Sequence, residues 1–276
     1  FLACGVVTVG IWAWTPDRSR ADLNSKYLGE STRYLDAAGT SLRVRDTGPK
    51  SAPVLLLMHG FGSSLETWEP WSQSLSRNYR VVRFDFPGCG LSEADRTGRY
   101  DDARTLTIVR SLMDQMGIDR AVLVGNSMGG RIAWKFAAEF PSRAAKLVLI
   151  SPDGFASPGF EYGRPPRIPA VLTLMKFFLP KMLLRNLLLA PGNREATLER
   201  MRQTVLQDPV PILRRIRAPT LLMWGRQDGM IPYENSADYM RELPDATLAS
   251  LPNLGHVPQE ESPAESRMPL QRFLAE

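Results

Sequence analysis

Only two histidines occur in the 276-residue chain, His59 and His256, so any chemistry needing an imidazole must use one of them. The residue that would call for such a base is Ser127, at the centre of Gly125-Asn126-Ser127-Met128-Gly129-Gly130. An apolar run over 121–124 leads into this segment, and helical periodicity over 131–139 leads out of it. A sharp strand-to-helix turn strains its central residue and lifts that side chain clear of the sheet. Glycines on both sides are required, because a Cβ there would meet the neighbouring strand and helix. Ser127 would also stand at a helix N-terminus, whose dipole favours developing negative charge. Phosphate binding, the competing use of such a turn, calls for a following Lys that is missing here.

A serine hydroxyl is a poor nucleophile until a neighbouring base takes its proton. His256, in Leu254-Gly255-His256-Val257-Pro258, falls on the loop between the last predicted strand and the final helix. A loop at the C-terminal edge of a parallel sheet can hang its imidazole over Ser127. His59 opens His59-Gly60-Phe61-Gly62 after an apolar run and reads as a hydrogen-bonding residue beneath that loop. An imidazole acting as base needs an acid to hold its tautomer. Asp228, in Gly225-Arg226-Gln227-Asp228, is the expected acid; Asp153, in Ser151-Pro152-Asp153-Gly154, is the competitor and otherwise shapes a hinge. The backbone N–H groups of Phe61 and Met128 are the expected oxyanion-hole donors, worth several kcal/mol to a tetrahedral intermediate.

These groups need a scaffold that brings several strand ends to one edge. Short, nearly continuous apolar runs lie at 54–58, 79–84, 121–125, 146–150, 220–224 and 246–251, the mark of strands buried on both faces. They follow an expected hairpin, 32–38 and 41–46, around a Gly39-Thr40 turn. Helical stretches over 66–76, 104–116, 128–139, 233–241 and 263–274 separate or follow them, with Pro141, Pro219 and Pro244 where helices should stop. This alternation predicts an α/β fold with a mostly parallel central sheet flanked by helices. Nearly seventy residues between 150 and 220 have helical periodicity and no strand, which predicts an inserted helical cap. Phe155, Phe160, Tyr162, Phe177 and Phe178 are its candidates for an apolar substrate pocket.

Composition narrows the partners. Hydrophobic residues at 43% and charged residues at 23% exclude a disordered or fibrous chain. A net charge of +5, without an arginine-rich run or a basic stripe interleaved with aromatics, argues against nucleic acid. Cys4 and Cys89 cannot build a disulfide framework or a four-ligand zinc site. Residues 1–16 carry no charge and are expected to be the distal part of a membrane anchor, with Trp12 and Trp14 at the interface. The organisation expected is an anchor segment over 1–20, a core over 21–152 and 218–276, and the cap over 153–217. The cap holds eleven Lys/Arg against five Asp/Glu, a basic amphipathic stretch suited to a membrane surface or to a solvated face.

Over nearly all of 31–276 the chain resembles the α/β-hydrolase family. The motifs are His59-Gly60-Phe61-Gly62 with Trp68 downstream, Asp85-Phe86-Pro87-Gly88-Cys89-Gly90-Leu91-Ser92, and the Asn-Ser-Met-Gly-Gly elbow, with Ser127, Asp228 and His256 in the family's order. They are similar to those of small, often membrane-associated bacterial lipases and esterases. That resemblance implies a serine carboxylester hydrolase that needs no cofactor. The aromatic residues of the cap point to an ester with an apolar acyl group, and the anchor segment to a catalytic domain held at a membrane, outside the cytoplasm. The meta-cleavage product hydrolases, which cut carbon–carbon bonds, share the Asn-Ser-Met-Gly-Gly elbow and form the alternative. Their oxyanion loop usually reads Gly-Pro-Gly and a Trp follows their histidine, where this chain has Phe61-Gly62-Ser63 and Val257. A serine at the elbow argues against dehalogenases and epoxide hydrolases, which place a carboxylate there. A catalytically silent, membrane-tethered interaction protein is the remaining alternative.

Overall fold

The computed structural model describes residues 17–29, 31–156, 161–165 and 190–276. One eight-stranded sheet organises them: β1 (Thr32–Ala37), β2 (Thr40–Thr47), β3 (Val54–Met58), β4 (Arg80–Phe84), β5 (Ala121–Asn126), β6 (Ala144–Ile150), β7 (Thr220–Gly225) and β8 (Ala246–Leu251). Their spatial order is β1-β2-β4-β3-β5-β6-β7-β8. The β1–β2 and β2–β4 pairs are antiparallel and every later pair is parallel. The turn of the first hairpin is Ala38-Gly39, one residue earlier than the spacing predicts. Both residues have positive φ (52° and 84°), as a two-residue turn that follows strand twist requires.

Nine helices are described: α1 (Arg20–Tyr27), α2 (Glu69–Leu75), α3 (Asp102–Gln115), α4 (Met128–Glu139), α5 (Asn193–Gln203), α6 (Val210–Leu213), α7 (Asn235–Glu242), α8 (Pro258–Glu261) and α9 (Pro263–Ala275). Because the central strands are covered on both faces, alternate residues feed two separate cores. Leu56, Met58, Leu123, Leu147, Leu149 and Trp224 pack on one side; Leu55, Leu57, Val124, Val148, Ile150 and Met223 pack on the other. Each fully buried aliphatic side chain contributes roughly 1.5–3 kcal/mol.

The structure also buries charge. Arg43 and Asp85 pair at 2.7 Å with both side chains fully enclosed. The Asp85 carboxylate accepts N–H groups from Leu65 (2.7 Å) and Leu91 (2.8 Å) as well. One buried carboxylate thus ties the chain after Phe61 to the glycine-rich loop after β4. Gly90 must remain glycine there: its φ is 53°, and a Cβ would lie 2.0 Å from an Asp85 oxygen.

Of the expected anchor, residues 1–16 lie outside the described residues. Among the described residues no helix is long and apolar enough to cross a membrane. Much of the expected cap, including Phe160, Phe177 and Phe178, also lies outside them.

Candidate active site

Strand β5 runs directly into Ser127, whose N–H still donates to Ile150 O of β6 at 2.9 Å. The chain then reverses into α4, with Ser127 at φ 53° and ψ −121°. Holding a non-glycine residue in such a conformation costs on the order of 1–3 kcal/mol, so the surroundings must impose it. They do. A Cβ on Gly129 would lie 2.2 Å from Met58 O at the end of β3, and one on Gly125 would lie 2.2 Å from Gly129 O. The expected collisions are thus with the neighbouring strand and with the first turn of α4 itself. Met128, the first helical residue, has an N–H without an intrahelical acceptor, and Ser127 is largely buried at 9% exposure.

His256 and Asp228 reach the same edge of the sheet from the loops after β8 and β7. His256 Nδ1 lies 2.8 Å from Asp228 Oδ2. The other Asp228 oxygen accepts N–H groups from Met230 (2.8 Å) and Ile231 (2.9 Å). Burial raises the Asp228 carboxyl, but the His256 hydrogen bond and these two amides outweigh it and hold it below the usual carboxylate range. An ionised Asp228 makes Nδ1 the donor and leaves Nε2 free to take a proton. Asn126, just before Ser127, donates from Nδ2 to the His256 carbonyl at 2.9 Å, which joins the serine turn to the histidine loop.

The competing aspartate is engaged elsewhere. Asp153 takes Arg131 NH1 on both oxygens, at 3.0 and 2.8 Å, and its own N–H donates to Ser127 O at 3.2 Å. Its carbonyl accepts from Trp134 Nε1 and the Tyr239 hydroxyl. Burial pushes the Asp153 carboxyl up although Arg131 opposes it. His59 is wholly buried; it accepts the Phe86 N–H on Nε2 at 3.0 Å and donates from Nδ1 to Gly60 O at 2.8 Å. Burial, opposed by Asp85, holds its pKa down to about 4. A neutral imidazole with both nitrogens occupied is a strut under the Phe61 loop.

A cavity of about 160 Å³ opens beside Ser127. Of the expected pocket residues Phe155 lies in its wall, with Phe61, Met128, Met201, Thr204, Leu206, Met230 and Ile231; Arg131, Asp153 and Gly154 complete the described wall. The wall residues from α5 and the loop after it, with Met230 and Ile231, are not among the candidates expected from sequence. Their signal was thin: isolated Met, Thr and Leu residues in a charged stretch. Tyr162, expected in the pocket, is not among the described wall residues: it stands 41% exposed, its hydroxyl accepts the Ala156 N–H, and its backbone bridges to the wall residue Leu206.

A strained serine, an imidazole oriented by a carboxylate and an apolar cavity are together equipped for nucleophilic attack on a carbonyl. Comparisons with known proteins place the chain among hydrolases. The profile of the alpha/beta hydrolase family matches residues 54–266. The chain is 30% identical over 263 residues to the 2-hydroxy-6-oxo-6-phenylhexa-2,4-dienoate hydrolase of Burkholderia cepacia, covering 85% of this chain and 91% of that protein. It is 30% identical over 287 residues to the 2-hydroxy-6-oxononadienedioate/2-hydroxy-6-oxononatrienedioate hydrolase of Comamonas testosteroni, covering 92% and 99% respectively. Among solved structures, a bacterial membrane phospholipase A superposes with a TM-score of 0.74 at 27% identity, covering 99% of this chain and 94% of that one.

Proposed function

The chain belongs to the alpha/beta hydrolase family, and from that premise we propose that it hydrolyses a carbon–carbon bond beside a ketone in a 2-hydroxy-6-oxo-dienoate. The observation that carries this choice is the likeness to the dienoate hydrolases along almost their entire length. In this reading Ser127 is the nucleophile, His256 the base, Asp228 the acid that orients it, and the N–H groups of Phe61 and Met128 the oxyanion donors. Ser127 Oγ adds to the ketone carbon as His256 Nε2 takes its proton, and the electron pair moves onto the carbonyl oxygen. Once the 2-hydroxyl proton has moved to the carbon beside the ketone, giving the 2-keto tautomer, collapse breaks the carbon–carbon bond. Its electron pair passes along the conjugated chain to the 2-keto oxygen, and the resulting dienolate takes a proton from His256. Water activated by His256 then releases the carboxylic acid and restores Ser127.

Ester hydrolysis, the main expectation from sequence, becomes the second reading. Val257 and Phe61-Gly62-Ser63 favour it, since the carbon–carbon hydrolases usually carry a Trp and Gly-Pro-Gly at those places. The chemical steps at Ser127 are the same, with the leaving alkoxide protonated in place of the dienolate. The test is direct competition: purified protein is assayed for loss of the dienoate chromophore of 2-hydroxy-6-oxo-6-phenylhexa-2,4-dienoate and for release of p-nitrophenol from acetate through dodecanoate esters. A higher kcat/KM on the dienoate is expected; activity on esters alone would transfer the assignment to the second reading. Ser127→Ala should abolish whichever activity is found.

A further inference from the structure

Glu261 is an exposed carboxylate at the end of α8, yet both of its oxygens are spent on one short stretch of main chain. Oε2 accepts the Gly255 N–H at 2.6 Å and Oε1 accepts the Val257 N–H at 2.9 Å. These are the amides on either side of His256. The carbonyl of His256 itself is held by Asn126 Nδ2 at 2.9 Å, and the second proton of that amide goes to Ile150 O at 3.1 Å. Its ring is held by Asp228. The base is therefore tethered by its ring, by its carbonyl and, through Glu261, by the backbone on both sides. A Cβ on Gly255 would stand 3.1 Å from Glu261 Oε1, so the carboxylate closes tightly over the loop.

The segment carrying this carboxylate is itself fixed. Gln259, fully buried, donates from Nε2 to Thr67 Oγ1 at 3.1 Å, and the Thr67 hydroxyl donates to Glu260. Thr67 lies in the 3-10 turn Leu65–Trp68, shortly after the Phe61 loop. The histidine loop and the loop expected to bind the oxyanion thus share one anchorage. A carboxylate fits this task because it accepts two diverging N–H groups without offering a competing donor.

We propose that Glu261 is a positioning residue: by clamping the amides of Gly255 and Val257, it sets the reach of the His256 ring toward Ser127. The proposal rests on the reading of Ser127, His256 and Asp228 as the reacting set, whichever bond is cleaved. Glu261 sits at the surface with no part in either core, so its removal leaves the packing intact and acts on the loop. A misplacement of about 1 Å in a reacting group can cost on the order of 10²-fold in rate.

The test compares Glu261→Ala, Glu261→Gln and Asp228→Ala with wild type on whichever substrate wild type hydrolyses, reading kcat, KM, thermal unfolding and the downfield proton NMR signal of His256 Nδ1–H. Glu261→Ala should lower kcat by roughly 10- to 100-fold with KM nearly unchanged, and should broaden or shift the His256 signal while the unfolding temperature stays near wild type. Glu261→Gln, which keeps one acceptor oxygen, should recover part of the loss; it carries the same comparison should the alanine variant not fold. Wild-type kcat in Glu261→Ala beside an inactive Asp228→Ala would overturn the proposal. So would a lowered kcat with an unmoved His256 signal, since the ring would then be in place. If Asp228→Ala keeps full activity, the reading of the reacting set fails instead.

Discussion

Asp228 and Asp153 follow neighbouring parallel strands, and only their partners separate them. Asp228 spends one oxygen on His256 and the other on two backbone amides; Asp153 spends both on Arg131. Asp228→Asn should therefore lower kcat by on the order of 10⁴-fold by spoiling the tautomer of His256, whereas Asp153→Asn should act mainly on stability and KM. Single-turnover rates on the two purified variants check the ranking. His59 gives a second expectation, about pH. Its folded-state pKa of about 4 lies below the ordinary 6.5, so the unfolded chain binds more protons between those values. The stability due to neutral His59 is complete above pH 6.5 and is lost as pH falls toward 4, on the order of 3 kcal/mol in all. Urea unfolding from pH 7 to pH 4.5 should show this slope, and His59→Gln should flatten it over that interval.

At the scale of elements, the elbow is where sequence and structure agree most closely. The glycines around Ser127 were legible because their reason is local steric crowding, and Gly129 faces the backbone of β3 directly. Main-chain atoms at 2.2 Å cannot rotate away, so Gly129→Ala should cost at least about 3 kcal/mol, read as a lowered urea midpoint or loss of soluble protein. The parallel strands were legible for a related reason, since burial on both faces writes an unbroken apolar run. Other features left weaker marks. Ala38 bears a positive φ that nothing in its side chain announces, which displaced the expected turn by one residue. Nothing local in the sequence marks Arg43 and Asp85 as partners, although the fold encloses them together. The α5 contribution to the cavity depends on contacts distant in sequence: Asn193 Nδ2 donates to Gly90 O at 2.8 Å and Arg200 NH2 to Pro87 O at 2.8 Å. No periodicity within α5 encodes that placement, because its neighbours are a hundred residues away.

For the molecule as a whole, α1 ties the first described residues to the rest of the fold. Its sequence, RADLNSKY, has too few apolar residues to show helical periodicity, yet it docks firmly. Leu23 is buried against Leu91 and Ala190, Arg20 donates to Leu91 O, and the Tyr27 carbonyl accepts from Arg43 (3.4 Å) and Arg45 (2.8 Å). Asp17 lies 3.3 Å from Arg194 of α5, so even the residues before the helix reach the unit. The described fold thus includes Asp17, and we propose residues 1–16 as the membrane-contacting segment. A chain beginning at Asp17 should keep the activity and melting temperature of the full chain while losing any flotation with lipid vesicles. A chain beginning at Gly29 should be destabilised by at least about 1.5–3 kcal/mol, the worth of Leu23 burial, and more because Arg43 loses an acceptor while fully enclosed. Melting curves and vesicle flotation on the three lengths separate the roles. Destabilisation already at Asp17 would mean that 1–16 packs on the domain, and equal flotation of the full and Asp17 chains would remove the membrane role.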